Sequence, residues 1–149
     1  GRISLEIQEP ALTDEIMDLY DRFHAERSYS RDWPAKEDED AFSFDCSFLD
    51  NPFPVEQWMY RENGRLCGVG YVDGLKCGLS AIYFFHDPNF YSHGIGIWNV
   101  MSLINEAKRR GLPHVYMGYY VKGCQSLEYK AGFKPNEILS LAGKWVPYS

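Results

Sequence analysis

Asp87 stands before Pro88 at the end of the run Gly78-Leu79-Ser80-Ala81-Ile82-Tyr83-Phe84-Phe85-His86, and a carboxylate so placed has two uses. It can bind or deprotonate an amine, or it can cap a turn ahead of a helix by accepting from backbone N–H groups two residues on. Tyr83 in that run, and Tyr119 and Tyr120 downstream, pair an apolar body with a hydroxyl that either donates to a ligand or is satisfied within the core. Lys130 supplies a cation, and Tyr129 beside it a flat ring. Cys124 opens a short helix, where a thiol can serve as a nucleophile or pack, and no His neighbours it in sequence. His93-Gly94-Ile95-Gly96 precedes an amphipathic segment. Unpaired N–H groups and the dipole of a helix start attract anions there, although Gly-x-Gly equally marks a tight turn. His86 and His114 read as structural.

The elements that must hold these groups alternate along the chain. Leu5 and Ile7 predict a short strand ended by Pro10. Thr13 can cap a helix whose apolar positions Ile16, Leu19, Tyr20 and Phe23 follow i, i+3, i+4, i+7. A second helix would hold Phe42, Phe48 and Leu49 until Asn51-Pro52-Phe53-Pro54 breaks it, and Glu37-Asp38-Glu39-Asp40 reads as its solvated start. Three strands fill residues 57 to 85, the first two joined by the hairpin signal Asn63-Gly64. A helix from Ile97 to Arg110 is expected to bury Ile97, Val100, Met101, Ile104 and Ala107, with Gly111 as its stop. His114 to Tyr120 reads as a strand, Gln125 to Ala131 as a short helix, and Ile138 to Val146 as the last strands.

Composition narrows the class. The 149 residues make about one domain, taken here as one unit over 1–149. No apolar run reaches the ~18 residues of a membrane span and no signal core opens the chain, so a cytoplasmic protein with no membrane partner is expected. Cys46, Cys67, Cys77 and Cys124 lack Cys-x-x-Cys spacing, so no metal is expected, and the first three read as buried thiols. Net charge is −6, but residues 1–75 carry 7 Lys+Arg against 17 Asp+Glu and residues 76–149 carry 8 against 4. Phosphate contact supplies most non-specific nucleic-acid affinity, so only the C-terminal half is suited to meet a phosphate backbone.

The element order resembles that of the GNAT acyltransferases, an α/β (α+β) fold with a mixed central sheet flanked by helices. Their pyrophosphate loop, Gln/Arg-x-x-Gly-x-Gly/Ala, corresponds to Tyr91-Ser92-His93-Gly94-Ile95-Gly96, with Tyr91 in place of the Gln or Arg. A more specific resemblance spans about residues 12 to 140. The run from Gly78 to Pro88, the block Gly118-Tyr119-Tyr120-Val121-Lys122-Gly123-Cys124-Gln125-Ser126-Leu127-Glu128-Tyr129-Lys130, the strand Asn63 to Val69 and the helix end Glu106 to Pro113 are similar to the C-terminal domain of the aminoacyl-tRNA:protein transferases.

That resemblance implies transfer of Arg or Leu from aminoacyl-tRNA to the N-terminal amine of an acceptor protein, with an acidic acceptor residue and the tRNA as co-substrate in place of a cofactor. For that reaction Asp87, Tyr83 and Tyr119 are expected as catalytic, His93, Gly94, Gly96 and Tyr129 as donor-binding, and Lys130 and Cys124 as acceptor-binding, with Lys130 alternatively meeting tRNA phosphate. The family's arginine before the long helix is replaced in Ser92-His93-Gly94. Its cysteine-bearing N-terminal domain does not precede Gly1, so the chain is expected to be an excised domain or a minimal relative. Two other readings stay open: an acetyl-CoA-dependent N-acetyltransferase, and a non-catalytic module that binds N-terminal residues. Oligomeric state is not legible.

Overall fold

A computed structural model describes residues 2–31, 44, 49, 50 and 52–148, of Arg31 the backbone only. The second expected helix, its acidic start and Cys46 lie outside the described residues except for Phe44 and Leu49, which join the core. Contacts divide the chain into two compact units, Gly1–Tyr116 and Met117–Ser149.

In the first unit, β1 (Ile3–Gln8), β2 (Val55–Glu62), β3 (Arg65–Leu75) and β4 (Gly78–His86) pair antiparallel in sequence order, and β5 (His114–Tyr116) joins β4 in parallel. Asn63 and Gly64 both take positive φ in the β2–β3 turn, the backbone that an Asn-Gly hairpin requires. The mixed sheet is covered on both faces, which is why Trp58, Met59 and Tyr60 are buried in succession rather than alternately.

Helix α1 (Asp14–Arg31) covers one face. Thr13 starts it, its hydroxyl accepting from Ile16 N–H at 3.3 Å, and Asp14 and Glu15 favour the dipole of the first turn. Ile16, Leu19, Tyr20 and Phe23 are all buried against Met59, Val69, Tyr71 and Phe85, each contributing roughly 1.5–3 kcal/mol for a full-sized apolar side chain. On the other face, α2 (Ile95–Arg109) packs Ile95, Leu103 and Ala107 against Trp58, Tyr60, Val72 and Leu79. It ends in a Schellman motif, with Gly111 at φ 70° and Leu112 N–H donating to Ala107 O at 2.8 Å.

Several expectations are corrected. α2 begins at Ile95, two residues early, so Gly96 lies inside the helix. Its buried ridge runs through Ile95, Asn99, Val100, Leu103 and Ala107, while Ile97 and Met101 are exposed beside Trp98. Each exposed residue stands two positions past a buried one, about 200° round the helix. β5 stops at Tyr116 because Gly118 takes φ 74°, outside any strand conformation. Cys77 is exposed, not buried, at the β3–β4 turn, while Cys67 is buried as expected.

The second unit holds α3 (Gln125–Glu128), a 3-10 turn at Tyr129–Gly132, and the antiparallel pair β6 (Glu137–Leu139) and β7 (Trp145–Pro147). None of its described residues is fully buried. Tyr148 OH donates to Tyr120 OH at 3.1 Å, which satisfies the Tyr120 hydroxyl. Among the described residues no helix is long and apolar enough to cross a membrane.

Candidate functional site

The parallel pairing of β4 and β5 covers only Gly78 with His114, Leu79 with Val115 and Ser80 with Tyr116. Gly78 makes it possible, because a Cβ there would stand 2.6 Å from His114 O. Beyond Ser80, β4 continues to His86 without that partner, so among the described residues that edge is unpaired at the C-terminal end of a parallel pair, where α/β sheets hold ligands. At the same point the register against β3 slips. Tyr71 faces Tyr83 and Val72 faces Ala81, so Ile82 is a bulge residue. A bulge leaves backbone groups outside the ladder, and N–H groups freed there can stabilise an oxyanion.

Tyr83 flanks the bulge and turns toward α1. Its hydroxyl lies 2.9 Å from His24 Nε2, and the two rings stack at 6.1 Å and 16°. Tyr20 lies 4.3 Å from the His24 ring and 6.4 Å from that of Tyr83. A phenol hydrogen-bonded to an imidazole in a partly buried aromatic setting can accept and pass a proton. Sequence reading missed His24. Its spacing, four after Tyr20 and on the face of α1 that turns to the sheet, was the available signal.

Asp87 proves to be an anchor. It caps the 3-10 helix Pro88–His93, accepting from Asn89 N–H at 3.0 Å. Its other oxygen is held by Arg22 at 3.0 Å and by Arg65. Burial alone would raise its pKa, but the Asn89 N–H and the two arginines outweigh burial and lower it. A fully buried carboxylate with both oxygens engaged is a poor base, so the catalytic expectation for Asp87 gives way to the capping one.

His86, beside Asp87, is buried, with Nδ1 3.0 Å from Asp87 O. Burial first, and the charge of Arg27 further, push its pKa down. Its ring stacks with Tyr91 at 6.3 Å and meets Phe23 at 5.1 Å. Arg27 projects over the rings of Phe23 and Tyr91 at 5.0 and 5.4 Å.

The 3-10 helix leads from Asp87 to the donor-binding candidates. Gly94, at φ 65°, is the N-cap of α2, no side chain caps it, and a Cβ at Gly94 or Gly96 would meet nothing within 4 Å. The first turn of α2 is therefore open beside His93, whose Nδ1 lies 3.4 Å from Ser92 Oγ.

Tyr119, Cys124, Tyr129 and Lys130 belong to the second unit. There Lys130 Nζ donates to Tyr119 O at 2.9 Å, and the Tyr119 ring is exposed. Burial lowers the Lys130 pKa, partly opposed by Cys124. Cys124 precedes α3 and lies 3.3 Å from Ser126 Oγ. Tyr129 exposes part of its ring and meets Phe133 at 6.4 Å. Among the described residues no three His, Cys, Asp or Glu side chains converge as a metal site.

A family model described as arginine-tRNA-protein transferase, C terminus, matches residues 15–140. An aspartate/glutamate leucyltransferase of Campylobacter jejuni is 36% identical over 135 residues, covering 89% of this chain and 56% of the relative. The chain thus spans a little over half the length of that relative. Among solved structures, the ribosomal-protein-S18-alanine N-acetyltransferase of Escherichia coli superposes with TM-score 0.60 at 13% identity, covering 97% of this chain and 94% of that one. A GNAT-family acetyltransferase of Staphylococcus aureus gives 0.56 at 17%, covering 91% and 86%. These two likenesses establish the GNAT-like fold.

Proposed function

The chain belongs to the arginine-tRNA-protein transferase family through its C-terminal domain, and on that premise we propose that it carries the acyl-transfer centre of an enzyme moving leucine from Leu-tRNA to acceptor proteins that begin with Asp or Glu. The observation that carries this is the open, bulged edge of β4 beside the Tyr83–His24 pair. The choice of leucine and of acidic acceptors follows the printed name of the relative. A cytoplasmic setting follows from a tRNA donor.

The reaction is aminolysis of an ester. The acceptor amine attacks the aminoacyl carbonyl carbon, the tetrahedral oxyanion collapses, the amide bond forms, and the ester bond to the tRNA 3′-terminal ribose breaks. An α-amine of pKa about 7.7–8.0 is partly neutral near pH 7, so no covalent intermediate is needed. The Tyr83–His24 pair takes the ammonium proton released on attack and returns it to the leaving ribose oxygen. N–H groups around Ile82 face the oxyanion, a contribution of about 2.7–4 kcal/mol per donor in such sites. Holding amine and ester in register supplies more, up to about 7–11 kcal/mol.

Donor binding is assigned to the first turn of α2, with Gly94, Gly96 and His93 meeting a 3′-end phosphate. Within the second unit, Tyr129 offers a ring on which a base can stack and Lys130 a cation for a phosphate. Tyr119, whose carbonyl holds Lys130, acts as its support. Cys124 is assigned to packing. Asp87 acts only by fixing the turn between β4 and α2. The acetyltransferase likenesses carry the fold and no evidence for CoA.

The test offers labelled Leu-tRNA, Arg-tRNA and acetyl-CoA to the protein with a peptide beginning with Asp. Labelled leucine on the peptide amine is expected. Acetyl transfer in its place, or no transfer from either tRNA, would overturn the reading.

A further inference from the structure

Arg27 is a charged residue that the reaction above does not use. Its side chain is only 12% exposed, yet among the described residues its Nε is buried without a hydrogen-bond partner. Among the described residues the carboxylate recorded near it, Glu26 Oε2, stands at 4.0 Å from that Nε and is itself half open to solvent. The guanidinium lies instead over the rings of Phe23 and Tyr91. Such stacking satisfies its faces and leaves the in-plane Nε–H unspent among the described residues. A withdrawn cation with an unspent donor is destabilising, so its retention calls for a ligand.

We propose that Arg27 reads the side-chain carboxylate of the acceptor's N-terminal Asp or Glu. A flat guanidinium between rings offers a planar, partly dry slot, which suits a carboxylate held by two parallel N–H bonds. The place fits as well. Arg27 follows His24 by three residues on α1, a spacing of about 5–6 Å between Cβ atoms, so a carboxylate held at Arg27 brings its own α-amine toward the Tyr83–His24 pair. His86, on the same rings, is held neutral by its burial and by Arg27, and adds no second charge to the slot. The inference rests on the acceptor reading given above and names the residue that enforces it.

The closing experiment measures binding of fluorescent peptides beginning with Asp, Glu, Asn or Gln to the wild type, Arg27→Met and Arg27→Lys, with thermal unfolding and leucine transfer followed in parallel. Wild type is expected to prefer the acidic peptides. Arg27→Met should lose that preference by about ten- to a hundredfold while its Tm stays level or rises, because Met fills the same aromatic slot without a buried charge. Arg27→Lys, which keeps charge but loses the fork, should retain part of the preference.

A preserved acidic preference in Arg27→Met would overturn the proposal. So would a fall in Tm with preference intact, which marks a structural role. Equal weakening for all four peptides with a raised KM for Leu-tRNA would overturn it in favour of phosphate contact. Binding discrimination that depends on Arg27 without any leucine transfer would uphold the proposal and count instead against the transferase reading.

Discussion

Asp87 and Arg27 are both withdrawn from solvent near the end of β4, the one with its oxygens held by Arg22, Arg65 and the Asn89 N–H, the other with a guanidinium Nε that meets no acceptor among the described residues. Both are charged. Their surroundings assign them opposite work. A buried charge with a full set of partners holds local structure together, and removing it strands those partners. A buried charge without them lowers stability and is retained for something that arrives later. Chemical type and place in the chain leave Asp87 two uses, and its partners decide between them.

The sharpest way to break this contrast is Asp87→Asn. The exchange keeps shape and leaves two guanidinium groups facing a neutral amide. A loss of about 2–4 kcal/mol of unfolding free energy is expected, discounted because Arg65 is well exposed. Chemical denaturation reads it. Full stability with lost transfer would restore Asp87 as a catalytic group.

Next comes His24→Gln. On the reactive side of the comparison the expected change is in rate, with leucine transfer falling by about a hundredfold or more and stability changing by less than about 1 kcal/mol. A stability loss without a rate loss would make the Tyr83–His24 pair part of the core.

Acid titration sharpens the contrast further. Asp87 and Glu106 both have lowered pKa values in the fold, Glu106 to about 2 through Arg109, despite some burial, and through Arg110. Unfolded carboxylates bind protons first, so the stability these groups contribute is complete above about pH 4 and is lost as pH falls toward 2. His86 adds an earlier decline. Buried and neutral, it binds its proton less readily than in the unfolded chain, so stability begins to fall below about pH 6.5. Denaturation at stepped pH should show the Asp87→Asn variant with a shallower limb below pH 4 and a deeper His86 decline, because the lost Asp87 charge had raised the His86 pKa.

The smallest effect is expected from Lys130→Met, which should leave acceptor preference intact, weaken all tRNA donors slightly, and reduce the salt slope of donor binding by about 1. An altered preference for Asp or Glu peptides would move acceptor reading from Arg27 to the second unit.

Much of the first unit was legible because periodicity reports burial. Ile16, Leu19, Tyr20 and Phe23 lie on the core face, the Asn63-Gly64 hairpin forms at its signal, and Gly111 ends α2 as expected. The errors have local causes. The helix start could not be placed, because Gly94 and Gly96 offer equal turn signals and only Gly94 takes positive φ, and the exposed apolar Ile97 and Met101 mimic a buried ridge beside the real one. The site was less legible. The run from Gly78 to Pro88 identified β4, but the bulge at Ile82 and the early end of β5 depend on pairing between strands distant in sequence. Asp87 looked reactive because Arg22 and Arg65, which occupy it, are far away in the chain. His24 and Arg27 went unread because a charged or polar residue in the second half of an amphipathic helix ordinarily faces solvent.

On the proposed mechanism Tyr83 and His24 act as one proton-transfer unit on the edge of β4. A double-mutant cycle of leucine transfer over Tyr83→Phe and His24→Gln tests it most directly, at acceptor and donor concentrations low enough to read kcat/KM. Each single change is expected to cost about a hundredfold, and the double change scarcely more than either, since a unit broken once has little left to lose. Additive losses, near ten-thousandfold for the double variant, would contradict the account and separate the two residues into independent roles.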